Sequence, residues 1–240
     1  MKKTPSDIQA MFDDIAPTYD VLNHLLSFGL DRVWRRKAMS LLEEKKDGVI
    51  LDIASGSGDL SLEALSLSPR RIVSADFAEN MLSVFRKKLR NMRQKEIFDL
   101  VSCDALCLPF RNESFDALTV AFGMRNFADR FASLAEMRRI LKPTGLAMIL
   151  ELSRPDGPVV SRIYDLYARS VLPFLGRVIS RHLSAYRYLP DSIAEFPPRD
   201  KFLGLMQAAG FAETRTYLLT FGAATIYVGR KREQPETGKS

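Results

Sequence analysis

Cysteine and histidine are nearly missing from this chain: 240 residues hold two of each, with a single tryptophan. Cys103 and Cys107 are too few for a zinc site, and no second pair exists to build a disulfide framework. Both read as small core residues. With only His24 and His182 available, a His-rich metal centre is excluded; carboxylate ligation stays open, and no metal is assigned. No apolar run approaches the roughly 20 residues that a bilayer-spanning helix needs. Met1-Lys2-Lys3 leads into polar residues and not into the apolar core of a signal peptide. The expected location is the cytoplasm, or the inner face of the membrane as a peripheral protein. No recognised nucleic-acid module is present either, so the net charge of +6 and the pI of about 9.4 are better matched to an anionic surface of another kind.

What is present is ordinary globular material, 46% hydrophobic and 27% charged, in a length that fits one elaborated domain. Residues 1–230 read as that domain and 231–240 as a flexible, charged tail. Residues 1–47 form a helical cover, with Ser6-Asp7 as a cap for a helix that Pro17 interrupts. Apolar residues then recur at helical spacing through Val21-Leu22-Leu25-Leu26 and, after Gly29, through Trp34, Ala38 and Leu41-Leu42. From 48 to 152 strands and helices alternate, which predicts a parallel sheet covered on both faces. The strands are expected at 49–53, 71–75, 98–102, 114–121 and 146–152, and the helices at 58–67, through Met81-Leu89, and at 131–141. Residues 153–195 break the alternation: six arginines interleave with aliphatic and aromatic residues, as in a capping helix, a substrate lid or a membrane-contacting segment. A helix over 199–209, closed by Gly210, precedes two strands, Phe211–Thr220 and Ala223–Arg230, that pair as an antiparallel hairpin.

The first strand runs into Asp52-Ile53-Ala54-Ser55-Gly56-Ser57-Gly58-Asp59. A strand feeding a helix through a tight glycine turn presents backbone N–H groups to a nucleotide-like ligand. The dinucleotide fingerprint G-x-G-x-x-G is incomplete, because Ser61 stands at its third glycine. Asp52 and Asp59 flank the turn, and a carboxylate about 4 Å from a phosphate charge repels it by about 4 kcal/mol. A cationic ligand without phosphates, S-adenosylmethionine, is therefore expected in place of a dinucleotide. Ligands of open α/β sheets lie beyond the carboxyl ends of the strands, where Asp76, Asp104 and the run Phe122-Gly123-Met124-Arg125-Asn126 are found.

Taken together these segments resemble the UbiE/COQ5 group, the menaquinone/ubiquinone C-methyltransferases, within the class I SAM-dependent methyltransferases. The likeness covers about residues 8–230. It is carried by Ala16-Pro17-Thr18-Tyr19-Asp20, the glycine loop, Ala75-Asp76-Phe77-Ala78-Glu79-Asn80-Met81, Phe122-Gly123-Met124-Arg125-Asn126, Leu141-Lys142-Pro143, Glu151-Leu152-Ser153-Arg154-Pro155 and Tyr186-Arg187-Tyr188-Leu189. The implied fold is a Rossmann-like α/β methyltransferase: a seven-stranded, mostly parallel sheet with a C-terminal antiparallel hairpin, N-terminal helices, and a helical insert over the substrate. The implied cofactor contacts are Asp52, Ser55, Gly56, Ser57 and Gly58 from the loop, Asp76 and Phe77 at the ribose, Asp104 and Ala105 at the adenine, Ala121, and Tyr19 closing over the site. Ala121 stands where the family commonly has Ser, Ser57 where it has Thr, and Tyr227 where its closing hairpin carries His.

The implied reaction is methylation of a ring carbon of a reduced, prenylated quinone. Such a reaction needs a group to stabilise a phenolate and a proton acceptor. Arg125 is the candidate for the first, with Asn126 and Tyr186 fixing the ring. Asp129 or a water is the candidate base, although capping the next helix is the more ordinary role for Asp129. The implied partners are the prenylated quinol and a membrane surface. A homo-oligomer is compatible with the sequence, and nucleic acid is not expected.

Overall fold

The computed structural model describes residues 4–155, 157, 162 and 183–232. Most of the arginine-rich insert and the end of the tail therefore lie outside the described residues. Seven strands form one sheet: β1 Val49–Ile53, β2 Arg71–Asp76, β3 Phe98–Ser102, β4 Phe115–Ala121, β5 Leu141–Leu152, β6 Phe211–Leu219 and β7 Ala224–Lys231. Their order is β3-β2-β1-β4-β5-β7-β6. β1 to β5 run parallel, and β7 inserts antiparallel between β5 and β6. The order reverses between β1 and β4, so the crevice outside their carboxyl ends is the natural ligand position.

The helices are α1 Pro5–Ile15, α2 Tyr19–Leu26, α3 Leu30–Ser40, α4 Asp59–Glu63, α5 Glu79–Leu89, α6 Arg130–Ile140, α7 Leu183–Glu195 and α8 Arg199–Ala208. Successive strand residues face opposite sides, and the two apolar layers follow from this. Ile50 packs with Trp34, Met39, Leu60 and Phe85 of α3, α4 and α5, whereas Leu51 packs with Leu134, Met137, Phe202 and Met206 of α6 and α8. Tyr227, in the position singled out on the closing hairpin, is a core residue. It is 1% exposed, stacks edge-on against Phe202 at 4.7 Å, and burial pushes its phenol up to about 12.

Three expectations need correcting. Helix α1 is capped by Thr4, which exchanges hydrogen bonds with Asp7 in a capping box; Ser6 lies one residue inside the helix. β5 begins at Leu141, five residues early, because Phe115 pairs with Leu141 and the ladder then skips to Ala117 and Leu146 across an irregularity. Cys107 is exposed and not a core residue, whereas Cys103 is half-buried and packs against the core. Cys103 sits where burial, reinforced by nearby Asp76, pushes its thiol up to about 11.

The glycine turn depends on Gly58. Its φ is +87°, and a Cβ there would lie 2.2 Å from the Phe85 ring. Gly58→Ala should lose about 3 kcal/mol in urea unfolding, from overpacking and backbone strain together. Gly204→Ala, in the middle of α8 with nothing within 4 Å of the new methyl, should instead gain about 0.5–1 kcal/mol.

Candidate active site

Two cavities meet at the carboxyl ends of the central strands. The first is walled by Ile53 and Ala54 after β1, Asp76, Phe77 and Ala78 after β2, Asp104 and Ala105 after β3, and Phe122, Gly123 and Asn126 after β4. Its cover is the N-terminal region, through Ile8, Gln9 and Phe12 of α1 and Tyr19 of α2. Helix α1 is tied down by Gln9 Nε2, which donates to the Phe77 carbonyl at 2.9 Å, and by Asp13, which accepts from Asn80 N at 2.9 Å. Gly123 is required here because a Cβ would meet Ala54 Cβ at 2.5 Å. Ala54 and Phe122 on either side both hold positive φ, at 54° and 58°, a sparsely populated conformation that recurs at functional sites.

Asp76 is the central polar group of this cavity. Its Oδ2 accepts from Gly56 N at 2.7 Å and its Oδ1 from Ala78 N at 2.8 Å. Enclosure pushes its carboxyl up from the usual range, and these amides pull it back. A carboxylate has about four acceptor positions, so Asp76 retains capacity for ligand hydroxyls. Among the described residues no lysine or arginine lines the cavity, and two carboxylates, Asp76 and Asp104, do.

The expected loop contacts divide. Tyr19, Gly56, Asp76, Phe77, Asp104 and Ala105 line the cavity; Asp52, Ser55, Ser57, Gly58 and Ala121 do not. Asp52 lies across β1 beside Thr119 and Ser74, its register partners on β4 and β2. It is 1% exposed, and it accepts from Ser61 Oγ at 2.6 Å and Thr119 Oγ1 at 2.8 Å. Ser57 donates its hydroxyl to Asp20 of α2, not to the cavity. Gly58 is filled against by Phe85, and Ala121 packs in the sheet opposite Leu150. Asp59 turns to Lys88 at 2.8 Å and to Arg35 at 3.7 Å. The acids that bias the cavity toward a cation are thus Asp76 and Asp104, not the pair flanking the turn.

Asp20, Ser57, Lys88, Asp59, Arg35, Asp31 and His24 form a continuous polar clasp that fastens α2 to the glycine loop. His24, Asp31 and Asp59 offer ligand atoms within 4.8 Å of one another. Arg35 and Lys88 already neutralise those carboxylates, so the cluster is read as an ion-pair network.

The second cavity, of about 480 Å³, adjoins the first across Phe122. Leu26, Phe28, Leu30, Trp34, Leu152, Pro155, Leu189, Ile193, Phe221 and Ala223 make it an apolar chamber. Its polar lining groups are mostly spoken for: Ser27 donates to Asp31 at 2.6 Å, and Trp34 Nε1 donates to Thr220 at 2.9 Å. Arg125 is different. Its side chain is 6% exposed, Nη1 donates to Glu151 Oε1 at 2.7 Å and to the Phe122 carbonyl, and its buried Nε has no partner among the described residues. Burial works against its charge, but Glu151, together with Tyr19 and Tyr188, more than offsets this and holds the guanidinium above its ordinary range. Asn126 accepts from Tyr188 Oη of α7 at 2.8 Å. Tyr188, not Tyr186, is therefore the described partner of Asn126, since the Tyr186 side chain lies outside the described residues. Asp129 is committed to capping α6, accepting from Ala132 N at 2.9 Å.

A model of the ubiE/COQ5 methyltransferase family matches residues 1–231. The chain belongs to that family. It is 45% identical over 228 residues to the ubiquinone/menaquinone biosynthesis C-methyltransferase UbiE of Geobacter sulfurreducens, covering 93% of this chain and 88% of that one. It is 47% identical over 220 residues to the demethylmenaquinone methyltransferase of Thermus thermophilus, covering 91% and 99%. Among solved structures, a SAM-dependent methyltransferase of Thermotoga maritima, described as a possible histamine N-methyltransferase, shares the fold. Its TM-score is 0.64 at 21% identity, over 93% of this chain and 99% of that one.

The methyl donor of this family is S-adenosylmethionine, and the first cavity fits it. It pairs two acids with no basic side chain, which suits a cation without phosphates, and its walls of Phe77, Met81, Ala105 and Leu106 suit an adenine. The residues that sequence reasoning missed are Glu151, and Ile8, Gln9 and Phe12 of α1. A lone acid within the apolar run Ala147–Leu152, and the i, i+4 spacing of Ile8 and Phe12, were the available signals.

Asp52 generates a stability prediction. Burial pushes its carboxyl up to about 6 from an ordinary value of 3.8, against the opposing hydroxyl bonds. A raised folded value means that stability is fully present below about pH 4 and lost as pH rises through 6, by at most about 3 kcal/mol. Asp52→Asn should abolish this component. The unfolding free energy of the variant relative to wild type, measured in urea at pH 4 and at pH 7, should therefore rise with pH.

Proposed function

We propose that this protein methylates a ring carbon of a reduced, prenylated quinone, converting demethylmenaquinol to menaquinol or acting on the equivalent ubiquinol precursor. The observation that carries this is the apolar chamber beside the cofactor cavity, with the buried Arg125 and its unpartnered Nε in its wall. An isoprenoid ring substrate needs apolar enclosure and, where charge develops on its oxygen, one strong cationic donor. When bound, S-adenosylmethionine supplies the methyl: its C–S bond breaks with the electron pair staying on sulfur as the ring C–C bond forms.

The protein's part is to ionise and orient the ring. Arg125 stabilises the phenolate, which puts electron density on the adjacent carbon. Phe122, shared by both cavities, sets the approach of one ligand to the other, and holding two reactants in register is worth several kcal/mol. The Tyr188–Asn126 bond pins α7, whose Leu189 and Ile193 line the chamber, to the strand-end turn. The phenolic proton leaves first; loss of the ring proton then restores aromaticity as a phenolate, which takes one proton back at oxygen to give the phenol. The net release is one proton per methyl, and with Asp129 engaged as a cap we assign its acceptance to water.

The decisive test is mass spectrometry of the quinones of a host lacking its own enzyme. Methylated quinone should reappear with this gene and stay below about a tenth of that level with Asp76→Ala. No methylated quinone, together with turnover of a soluble amine, would overturn the reading.

Membrane contact is part of the same proposal. No described helix is long and apolar enough to cross a membrane. Yet Val21, Leu25 and Phe28 recur at i, i+4 and i+7 and are 63%, 40% and 73% exposed, and Phe221 on the chamber wall is 78% exposed. Arg32, Arg36 and Lys37 of α3 are exposed nearby in the chain. An apolar rim with basic neighbours suits an anionic bilayer surface, from which a prenylated substrate could enter. The protein should sediment with phosphatidylglycerol vesicles at low salt and release at high salt. Equal pelleting with and without lipid would refute this.

A further inference from the structure

Glu151 lies near the end of β5, 0% exposed, among the apolar residues that complete the sheet. Its two oxygens accept three hydrogen bonds, two of them from one residue. Oε2 accepts from Arg125 N at 2.9 Å, while Oε1 accepts from Arg125 Nη1 at 2.7 Å and from Leu152 N at 2.8 Å. The carboxylate therefore fixes both the backbone and the head group of Arg125, and ties both to the strand that borders the chamber. Glu151 lines neither cavity, so it does not touch the bound ligands.

We propose that Glu151 is a positioning residue for methyl transfer, which holds Arg125 in the chamber wall and sets how much positive charge the substrate oxygen meets. The proposal rests on the reading of Arg125 as the phenolate partner. A buried cation without its carboxylate exerts its full field on the chamber; with Glu151 beside it, that field is attenuated while the donor stays aimed. The other groups around the guanidinium leave this balance to Glu151. The Tyr19 and Tyr188 phenols both face it; Tyr188 sits where burial raises its pKa, and it donates to Asn126. Arg130 donates to the Arg125 carbonyl at 2.9 Å, and Asp31 on the far wall is neutralised by Arg35.

The test is steady-state turnover of a water-soluble short-chain demethylquinol across pH. Glu151→Gln keeps the volume and removes the charge. It should lower kcat at least tenfold, and it should move the acid limb of the kcat profile down by about one pH unit, because the stronger field ionises the quinol more readily. Glu151→Asp keeps the charge and shortens the reach; kcat should fall with the limb in place. Affinity for S-adenosylmethionine, by calorimetry, should stay within twofold in both. An unmoved limb in Glu151→Gln would overturn the proposal. Should that variant fail to fold, the cycle of Arg125→Met, Glu151→Leu and their double variant decides instead: Glu151→Leu should add no loss to Arg125→Met, and additive losses would overturn the proposal. Full turnover by Arg125→Met would instead sink the reading of the chamber on which this rests.

Discussion

A guanidinium and a carboxylate removed from water together, Arg125 and Glu151, constrain the whole active end of the sheet. Burying two ions costs several kcal/mol each after relaxation, and their attraction repays this only with good geometry and further hydrogen bonds. Those bonds are supplied by the main chain: Arg125 N and Leu152 N to the carboxylate, the Phe122 carbonyl to the guanidinium. The strand-end turn after β4 and the end of β5 must therefore keep a fixed relation. Because Phe122 and Asn126 on that turn also border the cofactor cavity, fixing the pair fixes the wall between the two cavities.

The cofactor cavity solves a different electrostatic problem. Asp76 must be ionised enough to attract a cation, yet it sits in an enclosure that disfavours charge. Asp76 is served by loop amides, so part of the desolvation is recovered without bringing a competing cation into the cavity. The cations that the region does contain, Arg35 and Lys88, are kept on the far side of the loop, where they bind Asp59, Asp31 and Asp20. That separation lets a chain with net charge +6 present an acidic cofactor site.

Sheet, helix order and the strand-end position of the site were legible because they depend on periodicity, which one strand or helix expresses by itself. The residues that sequence reading misplaced depend on parity or on distant pairing. Asp52 and Asp59 look equivalent beside the glycine turn in linear sequence. Strand alternation sends Asp52 toward Thr119 and Ser61, and the first turn of α4 sends Asp59 toward Lys88. The expectation of S-adenosylmethionine was right; of the acids offered for it, Asp76 and Asp104 line the cavity and the pair flanking the turn does not. Glu151 was hidden for a related reason: its partner is 26 residues away, and only the β4–β5 pairing brings them together. Asp129, by contrast, carried its own local signal, and the cap it forms needs nothing beyond three residues of its own helix.

The two cavities together explain why one fold end can serve a greasy acceptor and a charged donor. A single apolar site would reject the sulfonium, and a single acidic site would repel the phenolate. Dividing them places Asp76 and Asp104 on one side of Phe122 and Arg125 on the other, so that on the proposed reading each ligand meets the opposite charge.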